Sequence, residues 1–309
     1  MTAAGPSANG PGTPAGLSDD TAARLVTAGL DATYVLDVVT RALEEDLDGG
    51  VDVTSVATVP FDQESTADLV ARADGVVAGL PVAAAVFDVA TDDAVLTRWL
   101  VEDGAQVRRG DVLMSLTAAT RGLLTGERTA LNLLCRLSGI ATLTRQWVDA
   151  VDGTGAAVRD TRKTTPGLRV LEKYAVRCGG GVNHRMSLSD AAMVKDNHVV
   201  AAGGVAEAFR AVRAAFPEVP VEVEGDSVDD VVEAVEAGAD LVLLDNMPVD
   251  EMRRAVEVVA GRARLEASGG LRLDNAREVA ETGVDYLAVG ALTHSAPILD
   301  IACDLREGP

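Results

Sequence analysis

The spacing of hydrophobic positions changes character near residue 150, and the change divides the chain. Upstream, TYVLDVVTRALEEDL (33–47) places apolar residues three and four apart, which predicts an amphipathic helix. STADLVARADGVVAGL (65–80) alternates and then runs apolar between glycines, as strands do. VEDGAQVRRGDVLMSL (101–116) reads as a hairpin with turns at Asp103-Gly104 and Arg109-Gly110-Asp111. GERTALNLLCRLSGIATLTRQWVDAV (126–151) keeps a helical period, with a break expected at Ser138-Gly139. Residues 21–130 thus predict a small sheet-and-helix domain. Residues 1–20 have almost no large apolar side chain to bury and predict a disordered tail.

Downstream, short apolar runs alternate with helical stretches: AAVRD, AMVKD, VEVE, DLVLLD, RLEAS and DYLAVG. Repeated β-α units mean a largely parallel sheet. Nearly every run ends in chemistry: Asp160-Thr161-Arg162-Lys163, Lys195-Asp196-Asn197-His198, Glu224, Asp245-Asn246, Ser268-Gly269-Gly270 and Gly290. Polar groups gathered at the carboxyl ends of successive strands mark the active face of a (β/α) barrel. Six runs are fewer than the eight of a complete barrel, so the fold class is α/β with an incomplete barrel over 131–294.

Composition narrows what that face binds. The chain of 309 residues has a formal charge of -21 and only 3% aromatic residues. This excludes a distributed nucleic-acid or anionic-membrane surface, which needs spread cations and stacking rings. Against that background, Arg159 to Lys195 holds eight Lys/Arg and three Asp/Glu, and includes all three lysines, Lys163, Lys173 and Lys195. Any anion must therefore bind at a focused site. The first residues lack the basic start and apolar run of a secretory signal, and the three cysteines show no metal-ligand spacing or even disulfide set. The expected location is the cytoplasm, with free thiols.

The cations Arg162, Lys163, Arg185 and Lys195, with His184, predict a polyanionic substrate held by desolvated pairs, which are stronger than surface ion pairs. GGG at 179–181, followed by Asn183, predicts a tight loop that turns Arg185 inward. SGG (268–270) and VGALTHS (289–295) end the last two strands, where barrels place phosphates on converging backbone N–H groups. Glu224 and Asp245 end adjacent strands and can share a divalent cation or hold sugar hydroxyls. With no zinc spacing, Mg2+ is the natural metal. A lysine at a strand end beside a phosphate cradle is also found in Schiff-base aldolases, a reading the surplus of arginines counts against, and a non-catalytic phosphate-binding barrel is a third reading because fold alone does not establish activity.

ERTALNLLCRLSGIAT, DTRKTTPGLRVLEKYAVRCGGGVNHRMSLSDAAMVKDNH, LVLLDNM, EASGGL and LAVGALTHS closely resemble the quinolinate phosphoribosyltransferase family, and ALEEDLDGGVDVTS resembles its N-terminal signature. The resemblance runs from about residue 35 to the end and implies an N-terminal open sandwich, joined by a final helix at 295–309. It implies transfer of phosphoribosyl from phosphoribosyl pyrophosphate to quinolinate with decarboxylation, in the presence of Mg2+. By this match Arg162, His184, Arg185 and Lys195 hold the quinolinate carboxylates. Lys163, Glu224 and Asp245 are the catalytic contacts to phosphoribosyl pyrophosphate, with Glu224 and Asp245 on the metal directly or through water. Ser268, Gly269, Gly270, Gly290, Ala291 and His294 cradle the 5-phosphate. Arg128 is implied to enter the site of a partner subunit in a homodimer. Gly225 departs from the bulkier residue expected after VEVE. A related phosphoribosyltransferase acting on another pyridine, or in a molybdenum-linked pathway, shares these features.

Overall fold

The computed structural model of the chain describes residues 13–92 and 94–306. They form two compact units, one of the described residues up to 142 with 166–179 and 296–306, the other of 143–165 and 180–295.

The first unit is built on strands β1 (Glu64–Ala71), β2 (Gly75–Val76), β3 (Leu96–Trp99), β4 (Gln106–Val107) and β5 (Val112–Ala119), with a C-terminal strand at Ile301–Leu305. The C-terminal strand, β1, β5 and β3 lie side by side in that order, while β2 pairs only with β4. The stretch 101–116 is therefore not a single hairpin, because β5 takes β3 and β1 as its neighbours. The turns fall as read, with Gly104 (φ 89°) and Gly110 (φ 96°) in the left-handed region. The helix Leu80–Ala90 is buried along most of its length, polar Asp88 included, and forms the core of the unit.

Three expectations change here. Residues 13–20 are ordered: Leu17 is fully buried, and the backbone N–H and hydroxyl of Ser18 donate to buried Asp88 at 3.0 and 3.1 Å. Burial of one leucine contributes about 1.5–3 kcal/mol, and Ser18 also caps the helix Asp19–Thr27. The rest of the expected tail, residues 1–12, lies outside the described residues. Second, the helix Thr120–Ala150 runs unbroken through Ser138-Gly139. Ser138 exchanges hydrogen bonds with Ala78, and a methyl group on Gly139 would lie 2.0 Å from the carbonyl oxygen of Pro297. Both residues serve close packing rather than a helix end. Third, the expected helix at 295–309 is a strand over 301–305, antiparallel to β1 with Ala71 opposite Ile301 and Ala67 opposite Leu305. The open edge of β1 offers its backbone groups to that segment, and pairing satisfies both.

The second unit contains β6 (Ala157–Arg159), β7 (Ala192–Val194), β8 (Val221–Gly225), β9 (Leu241–Asp245), β10 (Arg264–Ser268) and β11 (Tyr286–Ala288). All neighbours are parallel, in the order β6, β11, β10, β9, β8, β7. Between β6 and β7 no strand closes the ring among the described residues; Val182 alone bridges Arg159 in parallel. This is the incomplete barrel expected. Val221 and Val223 alternate with Glu222 and Glu224, and by the two-residue period of a strand the acids share the opposite face. Gly225 is buried, and a Cβ there would sit 3.2 Å from a Val231 methyl of the next helix, a tight contact that a bulkier residue would need Val231 to relieve.

The sandwich-to-barrel boundary drawn at 130 falls inside the helix Thr120–Ala150, and the compact units divide after 142. The helix Arg169–Cys178 packs with the first unit through Glu172, which accepts from Arg136 at 2.8 Å, and Tyr174, whose hydroxyl donates to Asp103 at 2.6 Å. Lys173 on this helix is fully buried there. The run of cations read in sequence is thus split, and Arg159, Arg162, Lys163, Arg185 and Lys195 are the ones the barrel unit keeps.

Candidate functional site

Short strands ending in polar residues bring six sets of side chains to the carboxyl rim of the barrel. Arg162 and Lys163 follow β6, Lys195 follows β7, Glu224 is the penultimate residue of β8, Asp245 and Ser268 end β9 and β10, and Gly290 follows β11. Glu224, Asp245 and Ser268 share one face of the sheet, Glu224 lying beside Leu243 and Ser268 beside Asp245, at the end where barrels gather their chemistry.

Arg162, Arg185 and Lys195 line one cavity of about 620 Å³, with Leu188, Met193 and Val194 among its apolar walls. Burial and the neighbouring Arg162 pull the Arg185 guanidinium below its usual value. The charges of Glu222 and Asp190 act in the opposite direction. Arg185 also donates to the carbonyl of Ala191 at 2.8 Å, which holds the side chain against the start of β7.

On the other side, one carboxylate oxygen from each of Glu224, Asp226 and Asp245 lies within 4.8 Å of the others. Lys195 makes a short ion pair with Glu224. Three carboxylates at this spacing offer the hard oxygen donors that Mg2+ takes. Asp226 was missed in the sequence, where it stands two residues beyond Glu224 and past the end of the strand. Past the end of β10, the neighbour of β9, Gly269 (φ 83°) and Gly270 (φ 61°) are left-handed, as a cradle of turned backbone requires. Lys163 reaches the same rim: a methyl group on Gly290 would lie 3.0 Å from Lys163 Cδ and 3.3 Å from His294 Nε2. Thr293, also missed, donates its hydroxyl to the Lys163 carbonyl at 2.8 Å. Ala291 begins the short helix Ala291–His294 between them.

His184 stands apart from the cavity of Arg162 and Lys195. Its Nε2 lies 2.6 Å from Glu222, its Nδ1 accepts the Arg185 backbone N–H at 2.7 Å, and Glu266 is 3.7 Å from the ring. Glu266 is fully buried and paired with Arg159 at 2.5 Å. Burial first, and then the charge of Glu222, push the Glu266 carboxyl well above the usual carboxylate range. Asp160, fully buried, accepts from the His184 backbone N–H at 2.8 Å and from the Asn183 amide at 2.5 Å. A layer of charge thus lies beneath the rim, and the loop carrying Arg185 is tied to it. Glu222 and Glu266 went unread in the sequence, although each precedes a site residue by two, the strand period, in VEVE and RLEAS.

Arg128 lies on the first unit's long helix with its side chain exposed, outside the barrel unit. Among the described residues, no helix is long and apolar enough to cross a membrane.

Comparison with known proteins gives these residues a family. Residues 140–304 match the family described as quinolinate phosphoribosyl transferase, C-terminal domain, and residues 52–138 match its N-terminal domain. A nicotinate-nucleotide pyrophosphorylase [carboxylating] of Mycobacterium leprae is 55% identical over 273 residues, covering 87% of this chain and 96% of the relative. A probable nicotinate-nucleotide pyrophosphorylase [carboxylating] of Bacillus subtilis is 42% identical, covering 84% and 90%. Among solved structures, NadC from Streptococcus pyogenes superposes with a TM-score of 0.86 at 40% identity, covering 90% of this chain and 98% of that one.

Proposed function

We propose a division of labour among the barrel residues of a chain that belongs to the quinolinate phosphoribosyltransferase family and so acts in NAD biosynthesis, joining quinolinate to the ribose of phosphoribosyl pyrophosphate. The products are nicotinate mononucleotide, pyrophosphate and carbon dioxide. The observation that carries the assignment of roles is the convergence of Arg162, Arg185 and Lys195 on one cavity while Glu224, Asp226 and Asp245 cluster beside it.

In this reading the cations take the two carboxylates of quinolinate, with His184 setting the backbone of Arg185 from below. Lys163 and the acids take the pyrophosphate end of the second substrate. Ser268, Gly269, Gly270, Gly290, Ala291 and His294 take its 5-phosphate. Glu224 and Asp245, joined by Asp226, are the residues that would hold Mg2+, which supplies neutralising charge to pyrophosphate when bound. The ring nitrogen of quinolinate gives its electron pair to C1 of the ribose, and the C1–O bond breaks with its pair leaving on pyrophosphate. The positively charged ring then accepts the electron pair of the C2–carboxylate bond as carbon dioxide departs, and C2 takes up a proton. No side chain need act as a nucleophile. Rate comes from holding the reactants together and from fixed charge.

Arg128 then completes the site of a partner subunit in a homodimer, and three unbridged cysteines fit a cytoplasmic enzyme. The test is a product assay with quinolinate and phosphoribosyl pyrophosphate, scored by released carbon dioxide. Nicotinate mononucleotide and carbon dioxide in equal amounts are expected, with nicotinate a poor substitute for quinolinate. Turnover of nicotinate and none of quinolinate would contradict the reading.

A further inference from the structure

One residue at the rim has no role in this scheme, and its conformation is uncommon. Asn246 follows Asp245 with φ 53°, in the left-handed region, outside any turn that ends a helix. Glycine meets that conformation at lower cost; asparagine tolerates it and brings an amide. Here the amide is used on both sides. Its Nδ2 donates to Asp245 Oδ2 at 2.8 Å. Its Oδ1 faces Gly269 so closely that a methyl group there would lie 2.1 Å away. The Asn246 backbone N–H meanwhile donates to the Ser268 carbonyl at 2.9 Å, tying the end of β9 to the end of β10.

We propose that Asn246 is a positioning residue that locks the acidic arm and the glycine cradle into one phosphoribosyl pyrophosphate site. The inference rests on the roles assigned above. The hydrogen bond from its amide restrains rotation of the Asp245 carboxylate, so that the oxygen facing Glu224 and Asp226 keeps its place. The carbonyl end of the same amide sets how near the cradle backbone at Gly269 can come. The two ends of a single substrate are therefore held at a fixed separation by one side chain, and glycine at 269 suits both its left-handed φ of 83° and the Asn246 amide that occupies the space of a Cβ.

The test is calorimetric titration of the full chain with phosphoribosyl pyrophosphate in Mg2+, and separately with quinolinate alone, beside a melting curve. Asn246→Gly tolerates the left-handed backbone and removes the whole side chain, its amide included. It should weaken phosphoribosyl pyrophosphate by about tenfold or more, the loss expected for one hydrogen bond to a charged group, and leave quinolinate affinity within about twofold. Gly269→Ala should be strongly impaired, and adding Asn246→Gly to it should restore part of the loss, because the second change clears the space. Parental phosphoribosyl pyrophosphate affinity in Asn246→Gly overturns the inference. So does an equal loss for both substrates with a fall in melting temperature, which would make Asn246 a merely structural residue. If the parent itself binds no phosphoribosyl pyrophosphate, the assignment of the site fails and takes this inference with it.

Discussion

Replacing Asp160 should unfasten the loop that carries Arg185. Its carboxylate is fully buried and accepts hydrogen bonds from the His184 N–H at 2.8 Å and from Asn183 Nδ2 at 2.5 Å. A hydrogen bond to a charged group contributes about 1.5–3 kcal/mol. Asp160→Ala removes these bonds and leaves a small void, so about 3–5 kcal/mol of stability should go. Asp160→Asn keeps the volume and one oxygen to accept the His184 N–H, but turns a second donor toward Asn183, and should cost about 1–2 kcal/mol. Denaturant unfolding followed by circular dichroism measures both. Quinolinate titration, made where each variant is still folded, should show a loss in the alanine variant larger than any loss for phosphoribosyl pyrophosphate. An alanine variant that unfolds with the parent and binds quinolinate normally would refute the claim that this carboxylate anchors the loop.

Gly139→Ala would gain about 1 kcal/mol if the glycine merely weakened its helix; because a methyl group would lie 2.0 Å from the Pro297 carbonyl, the variant should instead lose about 1–3 kcal/mol in a melting or denaturant experiment. Glu266, raised by burial and then by Glu222, holds its proton more tightly folded than unfolded, so its contribution is full below the ordinary carboxylate value and fades as pH rises through its elevated one. Unfolding curves from acid to neutral pH should therefore show the parent losing stability relative to Glu266→Gln; a pH-independent difference would contradict this. If Arg128 serves a partner's site, inactive Arg128→Ala and Lys163→Ala chains, unfolded and refolded together in equal amounts, should recover roughly a quarter of parental activity in mixed two-fold dimers. No recovery, with mixed dimers confirmed by mass, would remove Arg128 from the shared site.

The barrel was legible because each strand is a short apolar run with its chemistry at one end, a pattern that topology turns into a rim. Arg162, Arg185 and Lys195 stood out as cations in an acidic chain, and the structure brings them to one cavity. What the residues did not reveal depends on partners remote in sequence. The strand at 301–305 exists because β1 has an open edge some 230 positions earlier. Gly139 looked like a helix break because the chain that presses against it, at Pro297 and Ile298, is invisible locally. The helix Arg169–Cys178, rich in cations, belongs to the first unit through Tyr174 and Glu172, whose partners Asp103, in a turn, and Arg136, on the long helix, are remote in sequence. Glu222 and Glu266 follow the strand period, but only the fold shows that the two meet at His184.

If two substrates are held by two separate groups of side chains on one rim, reciprocal binding measurements will separate them. Calorimetry of Arg185→Ala and Lys163→Ala, each titrated with quinolinate and with phosphoribosyl pyrophosphate in Mg2+, gives four affinities to set against the parent. Arg185→Ala should lose quinolinate binding by about 3–5 kcal/mol, the cost of leaving a desolvated carboxylate without its partner, and keep phosphoribosyl pyrophosphate. Lys163→Ala should do the reverse. Quinolinate affinity within a few-fold of the parent in Arg185→Ala, or its loss in Lys163→Ala with phosphoribosyl pyrophosphate intact, would contradict the account.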